Sequence, residues 1–551
     1  MLSRKQAGSN TAEKQFIFRV IPGGDQSTLL WRGSLFLLLA VALCLLAFVR
    51  LEPLFEQTLR FDELTSYLMA TGHFAEYVQI YSSGAPPAGE WVPAAAWQQF
   101  LAVGTASDPQ TVVQDLLTYD IHPPLYFLLL RGWLEAAGNS YLSSRLLSWF
   151  LDLATAGLIV LCGRTLFEGR WAGWFAGLIW LVSPLAVEGS AWVRQYSLLT
   201  CFSVLFTLLV AQVLFTHLTP RRTAAQFLAL ALVGCLGLLT QYTFVFIAGA
   251  GVIALLLFGR RSPLLRYIFL IVLALLPLAL LLAGHRQPFA VPIFLSRQLS
   301  TAGFSAQRLP LFLRSSLLLS LPLALPVAAT AVAVWQARRQ QQRLALVGNN
   351  ETRRVFGFSL VMLLVPWTLY ALSYMAGIFA PHARMAHHLL FLTPFVALCT
   401  TAWLEILPRP LPRNTAVATA GLLIMLLLIS TVRTGRAVKS AGSLDMQALA
   451  NYDVIVIDSI KRPESFTYLQ PQSSVFAATQ ETLLEEQEDW LPRLVEDGGV
   501  FITLSRSGPF PDTDPELRQR LLGMIENMGT VRLIGHGSEY GTELSMYEVA
   551  E

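Results

Sequence analysis

Two acids stand side by side at Asp62 and Glu63, within Arg60-Phe61-Asp62-Glu63-Leu64. A carboxylate partly desolvated at a membrane face can take a proton from an acceptor hydroxyl, which is general-base chemistry. Its neighbour can hydrogen-bond the acceptor or hold a divalent cation. The same pair in an ordinary loop would simply be solvated. Downstream stands His122-Pro123-Pro124-Leu125-Tyr126. Two prolines fix the chain direction and open a helix. They set His122 at the helix mouth, facing the same aqueous space as Asp62; a helix start with an interfacial His is the plainer alternative. Asp152 follows Arg145 by seven residues, two helical turns, so both lie on one helix face. A carboxyl in an apolar stretch is costly and marks a functional or a pairing residue. Arg384-Met385-Ala386-His387-His388 gathers three cationic or titratable groups where an apolar run begins. A basic patch against lipid headgroups is the alternative there.

These residues sit in a chain of 551 residues that is 54% hydrophobic, only 14% charged, with mean hydropathy +0.53. Soluble proteins carry about 25% charged residues. The composition excludes a disordered chain, a disulfide scaffold and an ordinary cytosolic enzyme, and requires a polytopic membrane protein. The net charge of +3 is unevenly spread: residues 440–551 hold 7 basic and 19 acidic groups, the preceding 439 residues 32 and 17. A basic membrane body needs no nucleic acid to explain it, because Lys and Arg collect in cytoplasmic loops. Cys44, Cys162, Cys201, Cys235 and Cys399 all lie in apolar runs without metal-type spacing, as small buried hydrophobes do.

The charge pattern predicts the topology. Residues 1–28 form a basic cytoplasmic segment, and 29–49 an uncleaved signal anchor. The membrane domain covers 29–437 and includes a large periplasmic loop, 51–141. At the end of that loop, 123–138 is apolar for only about 15 residues, short of the roughly 20 a span needs. If it crossed, Arg164, Arg170, Arg221, Arg222, Arg260 and Arg261 would all fall outside. The expectation is therefore a helix along the outer interface. Further spans are expected near 142–163, 171–188, 197–217, 224–240, 242–258, 265–283, 311–335, 355–377, 388–405 and 414–432, about eleven with the first. Trp133, Trp192, Trp335 and Trp403 read as an aromatic belt, and Gln241-Tyr242 as an outer turn.

An odd number of spans places the acidic tail, 438–551, outside. Strand-like runs at 453–458, 499–504, 531–534 and 544–549 alternate with helical ones at 482–496 and 515–527, giving a small, independent α/β domain. Gly535-His536-Gly537 does not open a helix and has no nucleotide role. The tail is read as a docking or substrate-guiding module.

Asp62-Glu63 after the first span, HPPLY at 122–126, Ser144-Arg145-Leu146, Pro184 and Val193-Arg194-Gln195-Tyr196-Ser197-Leu198 together resemble the GT-C glycosyltransferases. Within them the likeness is to bacterial relatives of dolichyl-phosphate-mannose–protein mannosyltransferase. Where those often read EARMYSLL, this chain keeps Arg194, Tyr196, Ser197, Leu198 and Leu199 but has Trp192 in place of the Glu. A weaker echo is Arg384 before Pro394. The resemblance implies a polytopic α-helical GT-C fold in the cell membrane. It implies transfer of a sugar from a polyprenyl-phosphate carrier to an acceptor hydroxyl of a lipid, glycan or protein at the periplasmic or extracellular face. Such a reaction needs a base, Asp62, with Glu63 beside it. It also needs fixed positive charge for the lipid phosphate where water is scarce. The candidates are His122, Arg145, Arg194, Tyr196, Arg384 and His387, with His388 and Arg286 as further cations. Arg286, Arg297 and Arg308 otherwise read as solvated loop residues. These residues fix no cofactor; a divalent cation is one option, and it would sit at Asp62 and Glu63. A transporter or flippase of a lipid-linked substrate is the alternative function, and a silent membrane anchor a third. The absence of a visible inverted repeat and the clustering of polar groups at one face favour the enzyme.

Overall fold

Long apolar helices carry the chain, interrupted by a helical loop and ended by a sheet. The computed structural model describes residues 44, 46–55, 61–103, 108–120, 122–168, 172–216, 219–259, 308–339, 350–377, 385–406, 421–422, 425–433, 449, 451–460, 466, 469–506, 514–539 and 542–550. Most of the expected first span, the span at 265–283, Arg286, Arg297 and Arg384 lie outside the described residues.

The loop folds into α1 (Phe61–Thr71), α2 (Phe74–Ser83), strand β1 (Trp91–Pro93), α3 (Pro109–Tyr119) and α4 (Leu125–Ala137). Asp108 caps α3 by accepting from Gln110 N–H, and Pro109 stands where a missing N–H costs nothing. Helix α4 follows Pro123-Pro124 and has 13 residues, so it is only about 20 Å long. That is too short to cross a hydrocarbon core of about 30 Å.

The membrane body then runs α5 (Tyr141–Leu166), α6 (Ala172–Val182), α7 (Tyr196–Phe215), α8 (Pro220–Thr240), α9 (Phe244–Phe258), α10 (Arg308–Ser320), α11 (Ala324–Arg339), α12 (Asn350–Met375) and α13 (Thr393–Ile406). Six stretches among the described residues are long and apolar enough to span: Tyr141–Leu166, Tyr196–Phe215, Pro220–Thr240, Arg308–Trp335, Asn350–Met375 and His388–Ile406. Helices α6 and α9 are shorter apolar helices. The chain is a multi-pass membrane protein. Helices α5 and α6 meet at Gly163 and Gly173, where a Cβ on Gly163 would lie 2.6 Å from the Gly173 Cα. Only glycine permits so close an approach.

The span expected at 171–188 is broken. Helix α6 stops at Val182, Ser183 is extended, and a short helix restarts at Pro184–Gly189. Proline disfavours helical backbone at the residue before it and has no N–H to donate. The carbonyls exposed by this break need donors, because lipid supplies none. Arg50 provides them, donating to Trp180 O (3.1 Å), Leu181 O (2.7 and 2.9 Å) and Ala186 O (3.2 Å). Asp152 balances the charge at 2.6 Å, and both side chains are buried. Asp152 is thus half of a structural ion pair, and its partner is Arg50 rather than a residue of its own helix face.

The tail contributes β2 (Val454–Ile457), β3 (Ser474–Ala477), α14 (Gln480–Glu485), α15 (Gln487–Glu496), β4 (Val500–Arg506), α16 (Pro515–Glu526), β5 (Thr530–Glu539) and β6 (Thr542–Ala550). The sheet order is β1-β3-β2-β4-β6-β5. Strands β3, β2 and β4 are parallel, while β6 and β5 add antiparallel on one edge. The other edge strand is β1 from the loop, antiparallel to β3 with Val92 opposite Val475.

Side chains alternate across the sheet. Val454, Val456, Phe476 and Phe501 pack under the tail's own helices, with Trp490 and Leu521. Ile455, Ile457, Val475, Val500, Ile502 and Met546 pack under loop residues Leu64, Tyr67, Leu68, Tyr77, Trp97 and Tyr126. Trp97 stacks on Phe466 at 4.5 Å, and Tyr77 Oη donates to Ile460 O. The α/β architecture is as expected, but its second helical layer is the loop that carries Asp62 and Glu63. Among the described residues, the tail's own helices pack on the other face of the sheet.

Candidate functional site

Helix α1 presents its first turn to the segment between α6 and α7. Asp62 and Glu63 are adjacent, so they point in directions about 100° apart on the helix. Glu63 turns inward. Its Oε1 accepts from Val193 N–H at 3.0 Å, and its Oε2 faces Arg145 Nη2 at 3.8 Å. Both charged side chains are only 2% exposed. Asp62 turns outward and is 53% exposed, with Oδ1 3.3 Å from Arg194 Nη2. The two acids therefore face two different arginines.

Arg194 is the centre of the cluster. It is buried, Nη1 donates to Ser66 Oγ one turn along α1 at 3.3 Å, and its Nε–H has no acceptor among the described residues. Burial acts to lower its pKa. The Asp62 carboxylate, with Tyr196, Asp120 and Tyr126, reverses this and holds Arg194 above its ordinary value. His122 lies at the entry to α4, as its prolines require, with Nδ1 2.7 Å from Asp120 Oδ1. Tyr126, on the first turn of α4, is buried beside Glu63 and Arg194; burial raises its pKa well above the ordinary value, so its hydroxyl stays protonated. Tyr242 is likewise raised, first by burial and then by Asp120.

Tyr196 opens α7 and meets the His388 ring edge-on at 5.4 Å. Gln195 Nε2 donates to Gln241 Oε1 at 3.1 Å, joining the α6–α7 segment to the α8–α9 turn. Gln241-Tyr242 is thus a wall of the site as well as a turn.

Of the residues singled out by sequence, Asp62, Glu63, His122, Arg145, Arg194 and Tyr196 come together here. His387 lies in a 3-10 helix, Met385–Leu392, its side chain outside the described residues. Arg308 differs from a solvated loop residue. It is buried at the start of α10, donates to Tyr374 O at 3.0 Å and lies over the Tyr374 ring at 5.8 Å. Trp192 is also buried rather than part of a belt, because Ser148 Oγ hydrogen-bonds its carbonyl inside the α5–α7 packing. Asp120, Ser66 and Arg50 were not singled out by sequence. Asp120 had one signal, its place two residues before His122. Among the described residues, no group of three or more His, Cys, Asp or Glu is placed to hold a metal ion.

Residues 121–283 match the family profile of Dolichyl-phosphate-mannose-protein mannosyltransferase. That stretch carries His122, Arg145, Arg194 and Tyr196 and leaves Asp62 and Glu63 before it. The structure is similar to ArnT from Cupriavidus metallidurans bound to undecaprenyl phosphate, with TM-score 0.51 and 12% identity over 93% of this chain and 98% of that one. The chain has the GT-C fold. The apo state of ArnT from the same organism gives TM-score 0.36, with 12% identity over 95% and 98%. A search of curated proteins gives no match.

Proposed function

We infer that this protein is a GT-C membrane glycosyltransferase that takes a sugar from a polyprenyl-phosphate carrier and passes it to an acceptor hydroxyl. The observation that carries this reading is the convergence of a half-exposed carboxylate, Asp62, on a buried arginine, Arg194, that keeps a spare donor. A base for the acceptor and a fixed cation for the lipid phosphate are the two groups the reaction needs. The undecaprenyl phosphate bound to the similar ArnT supports a carrier of that chemistry.

In this reading Asp62 removes the acceptor proton as the acceptor oxygen bonds to the anomeric carbon. The bond from that carbon to the phosphate oxygen breaks, and its electron pair leaves with the phosphate. Arg194 meets the developing charge, with Tyr196, His122 and Arg145 shaping the pocket, and Arg384 and His387 as further cations on the donor side. Glu63 is a strut: it fixes the Val193–Arg194 backbone and faces the charge of Arg145. The phosphate's charge is met by guanidinium; a divalent cation at Asp62 would have to displace Arg194.

The pairing of β1 with β3 supports placing loop and tail on one side of the membrane, and the basic clusters make that side the periplasmic or extracellular one of a cell membrane. The N-terminus is then cytoplasmic. The test is to offer purified protein in nanodiscs a panel of polyprenyl-phosphate sugars and measure release of polyprenyl phosphate. Consumption of one donor is expected, and consumption of none would overturn the reading.

A further inference from the structure

We propose that the Arg194–Asp62 ion pair is an internal substitute for the donor phosphate, so that donor binding itself frees Asp62 to act as base. This rests on the glycosyltransferase reading above and adds an order of events to it. Arg194 is 7% exposed and buries a cation whose Nε–H lacks an acceptor among the described residues. Its contacts to Asp62 and Ser66, both 3.3 Å, are longer than the 2.7–2.9 Å of a well-made charge-assisted bond. Asp62 is half-exposed, so water can take over its solvation when it leaves. A phosphate at this site can use two donors of the guanidinium at once, the Nε–H among them. The contact to Ser66 remains when Asp62 leaves, and Asp120 still acts on the charge of Arg194.

The cycle follows. Before donor binding, Asp62 is tied to Arg194 and is a poor base. The donor phosphate takes its place, and Asp62 swings to the acceptor side. Asp62 accepts the hydroxyl proton as the glycosidic bond forms and the sugar–phosphate bond breaks. Cleavage turns a phosphodiester into a phosphomonoester, so Arg194 holds the product more strongly than the donor. Protonated Asp62 is neutral and does not compete. Once it loses its proton to water it competes again for Arg194 and weakens the hold on the lipid phosphate. The ion pair therefore both withholds the base from an empty site and helps release product.

The distinguishing consequence is that removing the base should tighten binding. With undecaprenyl phosphate in nanodiscs, Asp62→Asn should bind about fivefold more tightly than the native protein, the value of a half-exposed ion pair that no longer competes. Inorganic phosphate should also compete more strongly in the variant if the headgroup alone is recognised; a gain for the lipid only would assign part of the effect to the chain. Unchanged or weaker lipid binding overturns the exchange. If binding tightens while turnover persists, the exchange stands and Asp62 is not the base. If turnover is lost at unchanged affinity, the base reading stands and the exchange falls. A structure of the native protein with the lipid phosphate gives a check free of mutation. The Arg194–Asp62 pair should be open, and a pair still closed beside bound phosphate overturns the proposal.

Discussion

Replacing Glu63 by Gln should unfold the site rather than merely slow it. The amide keeps an oxygen able to accept from Val193 N–H, so the change isolates the charge facing Arg145. Both side chains are 2% exposed, and breaking such a buried pair from one side costs about 3–5 kcal/mol, because the remaining charge is poorly solvated. At 3.8 Å the pair is loose, which places the expected loss near the lower figure, about 3 kcal/mol. Asp62→Asn, one residue away, should cost under about 1 kcal/mol because Asp62 is half-exposed. Adjacent acids thus have opposite signatures: Glu63→Gln lowers thermal stability in detergent, while Asp62→Asn lowers turnover. Adding Arg145→Met to Glu63→Gln should restore part of the stability, because it removes the buried guanidinium charge left without its counter-ion. A Glu63→Gln protein as stable as the native one, yet inactive, would refute the strut and make Glu63 a chemical participant.

Asp152→Asn should likewise destabilise the protein by about 3 kcal/mol, because Arg50 must stay to serve the carbonyls of the broken α6; a thermal shift within error of zero would contradict this. Cysteines at Val92 and Val475 should form a disulfide without reductant and leave turnover intact, read by gel mobility; no cross-link in folded protein would contradict the β1–β3 pairing. Truncation after residue 448 should abolish donor cleavage as well as acceptor use, because it strips the sheet from beneath α1; a truncated protein that still cleaves donor would assign the tail to acceptor guidance alone.

The membrane body was legible because its signal is compositional and repeats along each span. Asp62, His122, Arg145 and Arg194 were legible because charged and titratable groups are rare in such a chain, and prolines or span ends bracket them. The partners were not. Asp152 and Arg145 share a helix face but stand seven residues apart, about 10.5 Å along the axis, too far to pair directly. The true partner, Arg50, is 102 residues away in sequence. The break at Ser183 that calls for Arg50 was marked only by Pro184. Strand β1 has three residues, too few for an alternating pattern, and its partner lies nearly four hundred residues on. For the same reason the tail read as self-contained: alternation shows that a strand has two apolar faces, not which distant helices cover them.

Single-turnover sugar transfer in nanodiscs, with native and Asp62→Asn protein side by side, shows whether Asp62 and Arg194 form the catalytic centre of a polyprenyl-phosphate-dependent transfer. The assay should use the consumed donor and record the thermal stability of each protein. The rate should be lower by about 10²-fold or more in the variant, with stability nearly unchanged and the lipid phosphate still bound. Equal single-turnover rates in two equally folded proteins would mean that Asp62 is not the base.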